Sequence, residues 1–166
     1  MIGHQMLLGL LNENFQIHAH FKSKKPKQDF LKTKSTISYY FEITALNIES
    51  FLSKVNPDII INAAGVTTRR ANETSIDQII FINSLLPNIL NNWSEKNNCR
   101  LIHFSTDCVF SGKKGNYKDY DITDALDTYG KTKSLGEVNS CHALTLRSSM
   151  IGFELYNKTE LLEWVF

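Results

Sequence analysis

The stretch DIIINAAG, residues 58–65, decides the fold. Its three isoleucines are typical of a strand that is buried on both faces, and the small residues that follow indicate that the strand enters a tight loop. Strands of this kind usually lie inside a parallel sheet whose faces are covered by helices. We therefore predict an α/β fold in which residues 58–62 form a central strand.

Helical and strand-like periodicities alternate on both sides of this stretch, at the spacing of an α/β domain. The pattern predicts further strands at residues 15–21, 37–43, 100–105 and 143–147. It predicts helices at residues 5–11, 48–55, 75–96 and 129–139, the start of another at residues 160–166, and a basic loop at residues 22–34. Pro87 should kink the long helix, because proline lacks the backbone N–H group. We expect one domain without an internal linker.

Composition narrows the function classes. The 166 residues carry 18 Lys plus Arg against 17 Asp plus Glu, a formal net charge of +1, so we expect no nucleic-acid partner and no membrane partner. The longest apolar run, residues 59–66, is far shorter than the roughly 20 residues of a membrane span. Without a recognisable leader, and with reduced thiols expected at Cys99, Cys108 and Cys141, we expect a cytoplasmic protein.

The first candidate chemistry is a YxxxK pair, Tyr129 and Lys133, which helical spacing places on one face. Thr106 follows a predicted strand, where α/β sheets carry functional loops. Reduction of a ketone needs a proton donor at the carbonyl oxygen, which a tyrosine supplies while a nearby ammonium stabilises the tyrosinate. The threonine hydroxyl would hold the same oxygen. Ser105 is the alternative hydroxyl, because Thr106 or Asp107 could instead cap a helix.

Other interpretations of these residues remain open. Tyr129 could be a packed helix residue with Lys133 as its solvated neighbour, and residues 62–65 could be only a tight turn. His18 and His20 share a strand face, but no third ligand stands at a suitable spacing, so we expect no metal site.

Four motifs in order carry a family resemblance: NAAG at residues 62–65, STDCVFSG at 105–112, YGKTK at 129–133 and LRSSMIG at 146–152. Together they resemble the extended short-chain dehydrogenase/reductases, and in particular the group of RmlD-like sugar-nucleotide reductases similar to dTDP-4-dehydrorhamnose reductase. The resemblance implies a Rossmann-type, doubly wound parallel sheet and an NAD(P)-binding oxidoreductase. The implied reaction is reduction of a nucleotide-linked 4-keto-deoxysugar for surface polysaccharide synthesis.

The resemblance also implies site residues. Thr106, Tyr129 and Lys133 would be catalytic, with Lys133 also touching the nicotinamide ribose. Gly3 would close a pyrophosphate-binding turn, and Asn83 would help to shape the site. The full cofactor-binding set implied in this way is Gly3, Glu42, Ile43, Asn62, Ala63, Ala64, Gly65, Asn83, Ser105, Tyr129 and Lys133.

Cofactor preference has one clue in the sequence. Relatives that use NAD usually carry an acid at the end of the second strand, whereas this chain has Lys22, Lys24 and Lys25 there. NADP is therefore expected ahead of NAD, although such a lysine run is equally typical of a solvated loop.

The chain also departs from the family pattern. Residues 1–3 resemble the last positions of a GxxGxxG turn, so we expect that the first strand is missing and that residues 150–166 are only the start of a substrate-binding region. The prediction is an incomplete Rossmann domain over residues 1–166, truncated at both ends. Two unpaired strand edges would then favour association with another chain, for example as a homo-oligomer.

Three alternatives to a reductase follow, two from the same motifs and one from the incomplete GxxGxxG turn. A sugar-nucleotide epimerase shares the Thr, Tyr and Lys set but keeps its cofactor tightly bound. A dehydratase is disfavoured, because Cys108 stands where dehydratase relatives carry a glutamate. The shortened chain could also be a non-catalytic fragment or binding module.

Overall fold

A computed structural model describes residues 2–22, 36–68 and 74–150 of the chain, and they adopt the predicted α/β fold. The helices are α1 (Ile2–Leu10), α2 (Ile48–Val55), α3 (Ile76–Ile80), α4 (Leu86–Lys96) and α5 (Thr128–Leu135). A π-helical segment, Phe81–Leu85, joins α3 to α4, and a 3₁₀ turn, Asp107–Val109, follows β4. The strands are β1 (Ile17–Phe21), β2 (Thr36–Tyr40), β3 (Ile59–Asn62), β4 (Arg100–Ser105) and β5 (Ala143–Arg147).

The described strands form two parallel sheets. Strand β1 pairs with β2, with Ile17 opposite Thr36. Strand β4 lies between β3 and β5 in the other sheet, with Ile59 opposite Arg100 and Leu101 opposite Ala143. The chain divides into two compact units, of which Pro57–Ser149 is the second. In the described part of the chain, none of the helices is long and apolar enough to cross a membrane.

The first unit is held by aromatic packing around β1 and β2. Phe51 of α2 contacts the rings of Tyr39 and Phe41, each with centroids 5.0 Å apart. His18 Nδ1 lies 3.0 Å from the Tyr39 hydroxyl, and His20 Nε2 lies 2.7 Å from the Phe41 carbonyl oxygen. Both histidines therefore have local partners, and the described ranges hold no group of three or more metal-ligating side chains.

The core of the second unit lies on β4 and α4. Leu101 of β4 is fully buried, and Leu90 and Trp93 of α4 are buried as well. Strand β3 is an edge strand of its described sheet, and Ile59 is 51% exposed. Burial of residues 58–62 on both faces is therefore a wrong prediction for Ile59, because the described residues leave about half of this residue uncovered.

Several predicted boundaries also need correction. Helix α1 begins at residue 2 instead of 5, and β2 ends at Tyr40, three residues before the predicted end. Helix α5 ends at Leu135 instead of 139, with Gly136 as its C-cap. Within the predicted long helix, a π-helical segment lies just before Pro87, which is in the first turn of α4, and the kink at Pro87 stays a prediction. The helix predicted at 160–166 and nearly all of the predicted loop at 22–34 lie outside the described residues.

Helix α5 approaches its neighbours very closely at two glycines. A Cβ atom at Gly130 would overlap the carbonyl oxygen of Cys108, and one at Gly136 would overlap the carbonyl oxygen of Asn83. The helix is thus packed directly against the backbone of the 3₁₀ turn and of the π-helical segment. Glycine is required at both positions by this contact, because any side chain would separate the backbones.

We expect Gly136→Ala to lower the free energy of unfolding by roughly 1–3 kcal/mol, because the added methyl group has to displace backbone. The measurement is chemical denaturation of the purified chain. Gly9→Ala is the matched control, since a Cβ atom at Gly9 of α1 meets open space. This control should leave the stability unchanged or raise it by up to about 1 kcal/mol. Equal effects of the two substitutions would contradict the packing argument.

Candidate active site

Thr106 lies at the carboxyl end of β4, where the strand leaves the sheet. Its backbone is extended, and its Oγ1 accepts a hydrogen bond from the Cys108 N–H group at 3.2 Å, which caps the 3₁₀ turn. The hydroxyl donates to Asp107 Oδ1 at 3.2 Å, and the residue is 5% exposed. The capping role considered for Thr106 is therefore present, and it fixes the direction of the hydroxyl.

Tyr129 faces Thr106 from the first turn of α5. The helix is capped by Asp127, whose carboxylate accepts a hydrogen bond from the Gly130 N–H group at 2.9 Å. Burial raises the pKa of Tyr129, and the nearby Cys108, Asp107 and Asp127 act in the same direction, whereas a hydrogen bond with Thr106 opposes them. The phenol therefore keeps its proton at neutral pH and is suited to donate it.

Lys133 lies one turn beyond Tyr129 on the same helix. Its side chain is 3% exposed, and Nζ donates a hydrogen bond to the Phe104 carbonyl oxygen at 2.7 Å. Burial lowers the pKa of Lys133 to about 8, with Glu137 opposing the shift. Burial, and next the charge of Lys133, lower the pKa of His103 to about 3. At neutral pH the lysine is therefore charged and the histidine neutral.

The loop after β3 is shaped by Asn62. The Asn62 Oδ1 atom accepts a hydrogen bond from the Ala64 N–H group at 3.2 Å, and Nδ2 lies 3.1 Å from His103 Nδ1. Asn62 is 5% exposed, whereas Ala64 and Gly65 are exposed and carry little or no side chain. Ala63, between Asn62 and Ala64, is half-buried. The loop therefore presents open backbone next to the end of β4, which suits close approach of a nucleotide cofactor.

Asn83 holds this loop from the π-helical segment. Its Oδ1 accepts from the Val66 N–H group at 2.8 Å, while Nδ2 donates to the Val66 carbonyl oxygen at 3.0 Å and to Thr132 Oγ1 at 3.1 Å. The side chain is fully buried. Both amide hydrogens are thus engaged inside the protein, and this geometry favours a role in shaping the site over direct cofactor contact.

Ser105 has a different role from Thr106. The Ser105 side chain is 4% exposed, and its hydroxyl donates to Glu137 Oε1 at 2.7 Å. Glu137 also forms a bidentate ion pair with Arg147, with both distances at 2.8 Å. Thr106 is therefore favoured over Ser105 as the hydroxyl beside Tyr129. Sequence reasoning missed Glu137 and Arg147, although Glu137 follows Lys133 by four residues and Arg147 lies in the LRSSMIG motif.

The remaining predicted cofactor residues lie in the first unit. Gly3 is exposed in the first turn of α1, Glu42 is exposed beyond the end of β2, and Ile43 is partly exposed. The Glu42 carboxylate pairs with Lys22 at 3.2 Å. Contact of these three residues with a cofactor stays a prediction.

An open groove of about 430 Å³ lies beside the 3₁₀ turn, directly after Thr106 in the chain. Its lining includes Asp107, Cys108, Phe110 and Tyr117, and the rings of Phe110 and Tyr117 stack with their centroids 4.4 Å apart. The groove lies beside the turn that Thr106 caps, and Thr106 itself is not among its lining residues.

The chain is similar to named proteins along part of its length. It is 36% identical over 89 residues to the dTDP-4-dehydrorhamnose reductase of Aggregatibacter actinomycetemcomitans, a match over 53% of this chain and 30% of that protein. It is 35% identical over 82 residues to the spore coat polysaccharide biosynthesis protein SpsK of Bacillus subtilis, a match over 49% of this chain and 29% of that protein.

A solved structure extends the similarity to the fold. The hypothetical dTDP-4-dehydrorhamnose reductase of Sulfolobus tokodaii superposes with a TM-score of 0.73 at 29% identity, covering 87% of this chain and 51% of that one. The chain thus spans about half the length of this relative. The model of the RmlD substrate binding domain family matches residues 3–151. Because this match takes in most of the sequence, including Thr106, Tyr129 and Lys133, the chain belongs to the RmlD substrate binding domain family.

Proposed function

We propose that this chain is the nucleotide-binding and catalytic part of an NAD(P)H-dependent reductase of a nucleotide-linked 4-keto-deoxysugar. The observation that carries the proposal is the placement of Tyr129 beside Thr106 at the end of β4, with the buried side chain of Lys133 one turn further along α5. Relatives named dTDP-4-dehydrorhamnose reductase support this substrate class.

The proposed setting is surface polysaccharide synthesis in the cytoplasm. The similarity to a spore coat polysaccharide biosynthesis protein supports the pathway class. The free thiols of Cys99, Cys108 and Cys141 fit a reducing compartment.

In the proposed mechanism the reduced nicotinamide, when bound, supplies the hydride that reaches the carbonyl carbon of the sugar. Tyr129 donates its phenolic proton to the carbonyl oxygen, so that the ketone becomes an alcohol. The Thr106 hydroxyl, which donates to Asp107 Oδ1 in the unliganded chain, turns to donate to the same oxygen and holds it against the phenol. The ammonium group of Lys133 stabilises the tyrosinate that forms. Solvent then returns a proton to Tyr129.

The cofactor would lie along the open backbone of residues 63–65, with Lys133 near its nicotinamide ribose. Gly3, Glu42 and Ile43 are proposed for its pyrophosphate and adenine. We propose NADP ahead of NAD because of the lysines that begin at Lys22. Lys22 itself lies within the described residues, where it pairs with Glu42. Residues 1–166 would then form an NAD(P)-binding domain, with the substrate-binding region beginning at about residue 150.

The experiment is a titration of the purified chain with NADPH, followed by NADPH oxidation with dTDP-4-dehydrorhamnose as substrate. We expect saturable binding and oxidation that depends on the sugar. Protein that is purified with tightly held NAD and interconverts sugar epimers without net oxidation would instead support an epimerase. Failure to bind NADPH or NADH would contradict the proposal and favour a non-catalytic module.

Tyr129→Phe should reduce turnover by about 10²- to 10⁴-fold, because it removes the proton donor while preserving the ring. NADPH affinity should change little, which separates a chemical defect from a folding defect. Tyr120→Phe is the matched control, since Tyr120 is 81% exposed and its hydroxyl should have no part in the reaction. Turnover by Tyr129→Phe at the rate of this control would exclude Tyr129 as the acid.

The pH dependence of kcat/KM should follow Lys133. Because the pKa of Lys133 is lowered to about 8 and the charged form is required, kcat/KM should fall about tenfold per unit as the pH rises above 8. Lys131→Arg, an exposed change on the same helix, should leave this limb in place. A profile that stays flat well above pH 8 would show that the charge of Lys133 is not needed.

A further inference from the structure

Glu137 occupies an unusual position for a carboxylate, directly after the C-terminal end of α5. The C-terminal end of a helix carries partial negative charge, so an acid there is unfavourable unless a cation compensates it. Arg147 of β5 provides that cation through two hydrogen bonds of 2.8 Å, and it also donates to the Asp119 carbonyl oxygen at 2.7 Å. The carboxylate of Glu137 is therefore fixed in place.

The same carboxylate reaches the strand that carries the candidate site. Glu137 accepts the Ser105 hydroxyl at 2.7 Å, and Lys133 donates to the carbonyl oxygen of the preceding residue, Phe104, at 2.7 Å. Phe104 and Ser105 are adjacent in β4. Lys133, near the end of α5, binds the first, and Glu137, just beyond the helix, binds the second. Thr106 follows directly after this doubly held segment.

We propose that Glu137 is a positioning residue of the site, which fixes Ser105 at the end of β4 and supplies the counter-charge for the buried ammonium group of Lys133. Only the importance of this role for catalysis rests on the proposed function. The contacts themselves, and the charge that they place beside Lys133, are properties of the folded chain.

The titratable neighbours of Lys133 come from α5, from β4 and from the segment just after α5. Tyr129 is the neighbour on α5 and is neutral at neutral pH, since burial raises its pKa. His103 is the neighbour on β4 and is also neutral, since its pKa is lowered to about 3. Glu137 is the charged neighbour that favours the ammonium form of Lys133. Removing this charge should therefore lower the pKa of Lys133, because neither of the other two groups can replace it.

The test is an NMR titration of the lysine side chains in the intact chain, with the Lys133 signal assigned by its loss in Lys133→Arg. In the wild type we expect a midpoint of about 8. Glu137→Gln should lower the midpoint by about 1 unit, because it removes the charge that raises the pKa of Lys133. Glu95→Gln, which removes an exposed carboxylate on α4, should leave it unchanged.

A second pair of variants separates a charge effect from a loss of packing. Arg147→Gln removes the ion pair but keeps the carboxylate, so the midpoint should stay or rise. Glu137→Gln combined with Arg147→Gln leaves a neutral amide pair, and the midpoint should again fall. This double variant keeps the test decisive if Glu137→Gln alone does not fold, because it does not leave the Arg147 guanidinium without a partner.

A midpoint within about 0.3 unit of the wild type in the folded Glu137→Gln and double variants would overturn the proposal. A downward shift in Arg147→Gln as large as the one expected for Glu137→Gln would also overturn the proposal. That result would indicate that Glu137 acts through the ion pair that holds the structure and not through its charge. The titration needs no substrate or cofactor. Absence of NADPH-dependent turnover would therefore contradict the proposed function without deciding the role of Glu137.

Discussion

The close contact between helix α5 and the end of strand β4 is the constraint on which the candidate site depends. Lys133 can reach the Phe104 carbonyl oxygen, and Tyr129 can reach Thr106, because Gly130 lets the helix backbone lie against the 3₁₀ turn. A side chain at that glycine would move the helix outward and separate the phenol from the threonine hydroxyl. The geometry of the candidate catalytic groups thus follows from a backbone contact.

The same burial has opposite effects on the groups that it encloses. It raises the pKa of Tyr129, since the tyrosinate is the charged form, and lowers the pKa of Lys133 to about 8, since the ammonium is the charged form. A neutral phenol beside a lysine that is still charged at neutral pH is the combination that proton donation to a ketone requires. Glu137 makes this combination less sensitive to pH, because it opposes the loss of the proton from Lys133.

Buried polar side chains organise the rest of the second unit. Asn83 binds both backbone groups of Val66, and Ser84 donates to the Thr132 carbonyl oxygen at 2.7 Å. Both lie in the π-helical segment and are buried, so their hydrogen bonds are protected from water. This polar network links the loop after β3 to helix α5 and hence to Tyr129 and Lys133.

The sequence by itself determined the fold class and most of the second unit. Strands 100–105 and 143–147 match the structure residue for residue, because local periodicity reports which faces are buried. The YxxxK pair was also predictable, since one helical turn separates its members. The half-exposed Ile59 and the early end of α5 were not, because they depend on which neighbours pack against them.

Only the tertiary structure decided which side chains act together. Thr106 and Tyr129 are brought together across 23 residues, Glu137 and Arg147 across 10, and Asn83 and Thr132 across 49. Periodicity describes one element at a time, whereas a hydrogen bond between elements depends on the register and the approach of both. The hydrogen bonds of Ser105 with Glu137, and of Asn83 with the loop after β3, could therefore be identified only in the packed structure.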